Sequence, residues 1–403
     1  MPKINDYIPI VGQVNIDDLH LLAQKLKGKL IQHFNSAAVG GGVAEILNRM
    51  VPLLSDLGVN SRWDVIKGGE QFFEVTKKFH NALHGKDAKL EERDFEIFAE
   101  TNEKNARESE IVGDIVFVHD PQPIGLIKKK KGNKWIWRCH VDVSQPDMKV
   151  WDFLLDYIQK YDASVFSSPK YSHKLPIRQF LIAPSIDPLS DKNKELEQHE
   201  INAVLQKYDV PQDKPIIAQF SRFDRLKDPI GVIEVYKLVK KYVDCRLILA
   251  GGLAADDPEG VQVFEEVKEK AGNDPDIHLL LLPQDDIAVN AIQRASSVIL
   301  QKSVREGFGL TVTEALWKGK PVVASNVGGI PLQITHKFSG LLSYSTEGMA
   351  FAVKQFLNNP EYAKKLGQNG KEHIRNNFLI TRHLKEYLLL FLSLYHNENI
   401  VYL

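Results

Sequence analysis

The chain has 403 residues, more than one hydrophobic core usually organises, so two domains are expected. Hydrophobic residues make up 43% and charged residues 26%, the balance of a globular protein, which excludes long disordered stretches. Lys plus Arg number 51 against 52 Asp plus Glu, a net charge of -1, so no global field attracts nucleic acid or an anionic membrane and any anion site must be local.

The amino terminus, MPKINDYIPIVG, lacks the basic start and apolar core of a secretory signal. Short β-rich runs then appear at 30–34 (LIQHF), 62–66 (RWDVI), 115–119 (IVFVH), 135–140 (WIWRCH) and 163–166 (ASVF), separated by helix-like stretches such as 42–57 and 149–160. Strands bounded by helices imply parallel pairing. Punctuation by Pro184, Pro188, Pro211 and Pro215 marks a linker near 184–195. A second series follows at 216–220 (IIAQF), 246–250 (RLILA), 277–282 (IHLLLL), 298–301 (VILQ) and 321–324 (PVVA). Both halves therefore read as doubly wound α/β units with parallel sheets. The boundaries expected are 1–190 and 191–375. The apolar run 387–395 (YLLLFLSLY) is about half of the ~20 residues that a bilayer demands and reads as a core-packing helix. Cys139 and Cys245 are the only cysteines, which offers neither a disulfide framework nor a Cys-rich metal site and fits a reducing cytoplasm.

In open α/β sheets ligands bind beyond the carboxyl ends of the strands, and four stretches lie there. In FNSAAVGGGVAEIL, Gly40, Gly41 and Gly42 precede an amphipathic helix, where backbone N–H groups can approach an anion; the pattern is not G-x-G-x-x-G, and a tight turn is the competing reading. In SRFDRLKD, Arg222 and Lys227 follow a strand, and a loop folded back would let them grip one diphosphate; two surface cations beside Asp224 and Asp228 are the plain alternative. In REGFGLTVTEALWKGKPVVAS, Glu306 precedes a bend made by Gly307, Phe308 and Gly309, and the helix expected from about Thr311 offers its first N–H groups to a phosphate. Thr311 and Glu314 also fit a capping box, whereas Glu306 has no such local role. In WRCHVDVS, strand alternation would place Arg138, His140 and Asp142 on one side, facing a polar substrate, and VHDPQP puts His119 and Asp120 at another strand end. Neither histidine has the companions of a zinc site. Asp274 and Asp276, the only D-x-D, precede their strand and so lie at the wrong end of the sheet.

A phosphate grip, a helix terminus and carboxylates that accept hydroxyl protons together suit a nucleotide sugar. The E-x7-E pair Glu306 and Glu314, the S-R-x4-K stretch from Ser221 to Lys227, and GKPVVAS resemble the retaining GT-B glycosyltransferases of family four. The stretches HFNSAAVGGGVAEIL, FHNALHG, VHDPQP, WRCHVDVS and PSIDPLSDKN are similar to the trehalose glycosyltransferring synthases within that family. The resemblance implies two Rossmann-like domains facing a central cleft, with a final helix, 376–403, packed back onto the first domain. It implies that Glu306 contacts the donor hexose and Glu314 the ribose. Arg222 and Lys227 would hold the diphosphate, with the backbone of Gly309 and Leu310 beside it. His140 would stand near the donor 6-hydroxyl, Gly41 and Gly42 would line the donor site, and Asp120, Gln122 and Asn35 would face the acceptor.

The activity implied is transfer of glucose from a nucleoside diphosphate glucose to glucose, giving trehalose with retention, reversibly. The co-substrate is ADP-, UDP- or GDP-glucose, because LLPQDDIAVN departs from the family's stretch at the base. No tightly bound cofactor and no obligate metal are expected, nor nucleic acid or integral membrane association; a homodimer is allowed. The competing readings are a related GT-B transferase with another donor or a lipid or cell-surface acceptor, and a non-catalytic sugar-nucleotide sensor. A glycosidase would leave the phosphate features unexplained.

Overall fold

The computed structural model describes residues 2–39, 41–86, 88–252, 258–282 and 285–395. The chain divides into two compact units, residues 1–184 with 380–403 and residues 185–379. The units part six residues before the expected boundary, and the first unit resumes at Ile380 rather than 376.

The first unit holds a parallel sheet of six strands in the order β2-β1-β3-β4-β5-β6: β1 Leu30–Asn35, β2 Asn60–Val65, β3 Ile115–His119, β4 Lys134–Cys139, β5 Ala163–Phe166 and β6 Arg178–Leu181. The central strands β3 and β5 are buried throughout, as helix-covered parallel strands must be. β6 has polar and half-exposed positions because it is an edge with one neighbour; its RQFL run carries no apolar pattern, which hides it from sequence reading. The core under this sheet joins Trp135, Trp137, Phe34, Phe72, Phe79 and Phe98, each side chain contributing roughly 1.5–3 kcal/mol by burial.

The helix Ile380–Ser393 belongs to this unit. Ile380, Leu384, Tyr387, Leu388 and Phe391 recur at helical spacing and are all buried, so the apolar run is the inward stripe of an amphipathic helix. Tyr387 and Phe391 pack edge-on against Phe117 of β3, at 4.9 and 5.8 Å between ring centroids. Among the described residues no helix is long and apolar enough to cross a membrane.

The second unit holds the order β12-β11-β10-β7-β8-β9: β7 Ile216–Phe220, β8 Arg246–Gly251, β9 Ile277–Leu281, β10 Val298–Gln301, β11 Val322–Ser325 and β12 Leu341–Ser343. β12 was not legible, since three residues at an edge are too short to show a period. In both sheets the strand order reverses once, between β1 and β3 and between β7 and β10, and a crevice for a ligand opens at the carboxyl ends of such a pair. Asp276 enters β9 at the opposite end, where it binds Lys214 and Lys240 at 2.8 and 2.6 Å; these hydrogen bonds hold its carboxyl down to about 2.

Candidate active site

The switch point of the second unit gathers the acidic and basic residues singled out in the sequence. The loop after β7 carries Lys227, and the loop after β10 carries Glu306. Lys227 Nζ donates to Glu306 Oε2 at 2.5 Å. The same oxygen accepts from Ser303 Oγ at 3.2 Å and Gln301 Nε2 at 3.4 Å. Glu306 is only 7% exposed, so this carboxylate is held by charge and hydrogen bonds together. Glu306 makes no cap on the helix that follows it; instead it fastens one loop to the other.

Two glutamines set the loops, and sequence reading missed both. Gln219 of β7 donates to Lys227 O at 2.8 Å and accepts from Lys302 N at 2.8 Å, tying the loop after β7 to the one after β10. Gln301, the last residue of β10, accepts from Thr311 Oγ1 at 2.9 Å. The available signal was a fully buried amide at the end of each of two neighbouring parallel strands, where an apolar residue would serve packing better. Asp228 and Lys302 form a further ion pair beneath them.

Arg222 is not drawn into this cluster. It is exposed, and its Nη2 lies 3.4 Å from Asp224 Oδ2.

Gly309 takes φ +85° and forms the N-cap of the helix Leu310–Trp317, which has no side-chain cap. A Cβ on Gly309 would come within 3.2 Å of Glu306 Cγ, so this position needs both the glycine backbone and its missing side chain. The helix begins at Leu310, within one residue of the start expected. The capping box is absent: Glu314 is turned inward, accepting from Gln293 Nε2 at 3.1 Å with Lys192 Nζ 3.9 Å away, because its place on the buried face of the helix points it away from the N-terminus. Nearby Lys318 donates to Asn193 Oδ1 and to the Glu314 carbonyl, and burial pulls its amine down to about 7. The Phe308 ring packs into the core against Phe378, while its carbonyl accepts from Gln333 Nε2 at 2.6 Å. Gln333 Oε1 in turn accepts from Thr313 Oγ1 at 2.6 Å, so the Gly307-Phe308-Gly309 bend is pinned from outside its own sequence.

At the switch point of the first unit, Asp120 follows β3 with φ +65°, an uncommon conformation for a residue with a side chain. It is stabilised on three sides: Asp120 N donates to Arg138 O, Asp120 Oδ1 accepts from His140 N, both at 2.7 Å, and Asp120 O accepts from Trp137 Nε1 at 3.1 Å. Burial pushes the Asp120 carboxyl up to about 6, against the opposing effects of the His140 N–H and the Arg138 charge. The Gln122 Oε1 is buried and has no hydrogen-bond partner among the described residues.

The expected face of Arg138, His140 and Asp142 does not form. β4 ends at Cys139, so alternation stops there; Arg138 is fully buried with Nη2 on Ser167 Oγ at 3.2 Å, and Asp142 turns to accept from Ser144 N and Oγ. His140 instead stacks on His119, which stacks on His33. Asn35 is buried, its amide donating to Ala37 O and accepting from Trp63 Nε1. Gly41 and Gly42 open the helix Gly41–Asp56; Gly40 lies outside the described residues, as do Pro283 and Gln284 in the loop expected at the base. Among the described residues no group of three or more His, Cys, Asp or Glu could hold a metal ion.

Comparison with known proteins identifies the family and the fold. Residues 33–173 match the family described as trehalose synthase, N-terminal domain, and residues 200–373 match glycosyl transferases group 1. A trehalose synthase of Pyrococcus horikoshii is 46% identical over 394 residues, covering 96% of this chain and 95% of that one. A trehalose synthase of Rubrobacter xylanophilus is 45% identical, covering 96% of each. Among solved structures, an alpha,alpha-trehalose-phosphate synthase (UDP-forming) from Burkholderia vietnamiensis superposes with a TM-score of 0.74 over 93% of this chain and 99% of that one, at 16% identity, a likeness of fold. The fold is GT-B, and the chain belongs to the trehalose synthase family of glycosyltransferases.

Proposed function

We propose that this glycosyltransferase moves glucose from a nucleoside diphosphate glucose to free glucose, forming trehalose with retention of the donor's α configuration. The observation that carries the reading is the Lys227–Glu306 pair at the β7/β10 switch point, ahead of a helix N-terminus without a side-chain cap. Lys227, Arg222 and the backbone N–H groups at Gly309 and Leu310 would take the diphosphate, supplying fixed positive charge where negative charge grows in the transition state. Glu306, relieved of Lys227, would accept hydrogen bonds from the hexose, and Glu314 from the ribose. In the first unit His140 would meet the donor 6-hydroxyl, Gly41 and Gly42 would line the donor site, and Asp120, Gln122 and Asn35 would serve the acceptor.

The bond between the anomeric carbon and the phosphate oxygen breaks as the acceptor oxygen attacks the same face. The acceptor's hydroxyl proton passes to the departing phosphate, so no side chain has to serve as base. The test is incubation of the purified protein with glucose and each of ADP-, UDP- and GDP-glucose. NMR of the product is expected to show an α,α-1,1 linked disaccharide and equimolar nucleoside diphosphate. Nucleotide binding without product would instead favour a sensor, and product only with another acceptor would favour a related transferase.

A further inference from the structure

Asp228 directly follows Lys227 and takes φ +44° and ψ +55°, a left-handed backbone that a residue with a side chain seldom adopts. Pro229 comes next, and its ring pushes the residue before it towards extended torsions. Something must therefore hold Asp228 in this turn. Its Oδ1 accepts from Gly231 N at 3.0 Å, capping the helix Pro229–Lys240, while Oδ2 forms the ion pair with Lys302 Nζ, both side chains being largely buried. A Cβ on Gly231 would collide with Asp228 Oδ2 and with Lys302 Nζ. Glycine is costly inside a helix, and here the space it leaves is filled by the ion pair.

The same stretch is tied to the loop after β10 at two earlier points. Leu226 O accepts from Val304 N at 2.8 Å, and Lys227 O accepts from Gln219 Nε2, whose Oε1 takes Lys302 N, each at 2.8 Å. These bonds fix the chain up to Lys227. The Asp228–Lys302 pair fixes the residue after it, so Lys227 is braced on both sides where its Nζ comes to Glu306 Oε2.

We propose that Asp228 and Lys302 are positioning residues: their ion pair holds the left-handed turn that aims Lys227 at Glu306 and at the diphosphate. The proposal rests on the reading above in which Lys227 takes the diphosphate. Asp228 would need no lysine if it served only as a helix cap, and the pair would need no left-handed turn if it served only as two charges.

The test titrates ADP, UDP and GDP into the full chain by calorimetry. Asp228→Ser keeps a capping oxygen but is too short to reach Lys302; Lys302→Met removes the ammonium and leaves both the cap and the backbone N–H that Gln219 uses. By charge alone the two changes oppose each other: losing a carboxylate tightens an anion, losing an ammonium loosens it, and the double variant returns near wild type. By position both loosen it, about three- to tenfold, the size of one misplaced hydrogen bond, and the double variant is no worse than the poorer single because the pair is broken only once. In a Lys227→Ala background Asp228→Ser should no longer loosen binding. Opposite signs for the two single variants, or unchanged affinity in both, would overturn the proposal. The turn is also read without any ligand: crystals of Lys302→Met are expected to show Lys227 Nζ withdrawn from Glu306, and a pair still closed would overturn the positioning role. Nucleotide affinity unchanged in Lys227→Ala, or no binding of any of the three nucleotides, would instead sink the functional reading, with the unliganded crystal still judging the turn.

Discussion

Lys227 and Glu306 are 79 residues apart in the chain, yet Nζ and Oε2 meet at 2.5 Å. Each closes the other's charge while no substrate is bound. On the proposed reading, a diphosphate that recruits Lys227 would part the pair and free the carboxylate to receive sugar hydroxyls. The contact keeps two largely buried charges compatible with folding.

Lys227→Ala should then lower turnover at saturating donor by about 10²-fold or more, the usual loss when a donor to developing transition-state charge is removed. Steady-state kinetics check this, and unchanged kcat would take Lys227 out of the chemistry. Glu306→Ala should spare binding of the bare nucleoside diphosphate, measured by calorimetry, while abolishing transfer.

Gly309→Ala should cost about 1–2 kcal/mol of stability, because a side chain is forced into the left-handed region. The new methyl also meets Glu306 Cγ at 3.2 Å, so activity should fall more than stability does. Denaturant titration and kinetics on the same preparation separate the two; equal activity would show that Glu306 tolerates displacement.

Gln333→Ala leaves Phe308 O and Thr313 Oγ1 buried without their shared partner. The expected loss is about 1–3 kcal/mol for the unsatisfied groups, read by urea unfolding. Gln333→Glu should be no rescue, since a carboxylate cannot donate to the Phe308 carbonyl.

Stability should also fall on acidification below about pH 6.5. His33, with an unfolded value of 6.5 and a folded value of about 3, binds its proton more readily when unfolded. Stability therefore rises with pH between those values, with a full difference of roughly 5 kcal/mol. His119, His140 and His383 act in the same direction. Asp120 opposes them, because its folded value near 6 lies above the unfolded 3.8, so its contribution is lost as pH rises through that interval. With several histidines against one carboxyl, Tm should drop from pH 7 to pH 5, and His33→Phe should flatten that drop. A Tm independent of pH over this range would contradict the buried neutral rings.

Much of this architecture was legible because parallel strands covered by helices leave apolar runs between amphipathic stretches. β3, β5, β7 and β10 were read to the residue. The edges β6 and β12 were not, since a strand with one neighbour needs no continuous apolar face. In the site, glycines and charges after strands were visible, while Gln219, Gln301 and Gln333 were not: a buried amide has no period, and its partners lie in other loops. His33 was hidden inside a strand, where one polar residue among apolar ones looks like ordinary core.

The helix Ile380–Ser393 follows residues 185–379 in the chain yet completes the unit that precedes them. During synthesis, residues 185–379 emerge as an uninterrupted segment able to collapse at once, while Phe117 waits for Tyr387 and Phe391 to leave the ribosome. The unit begun before residues 185–379 is thus finished after them, and a chain cut shortly before Ile380 would strip the aromatic cover from β3 while leaving the Lys227–Glu306 loops whole.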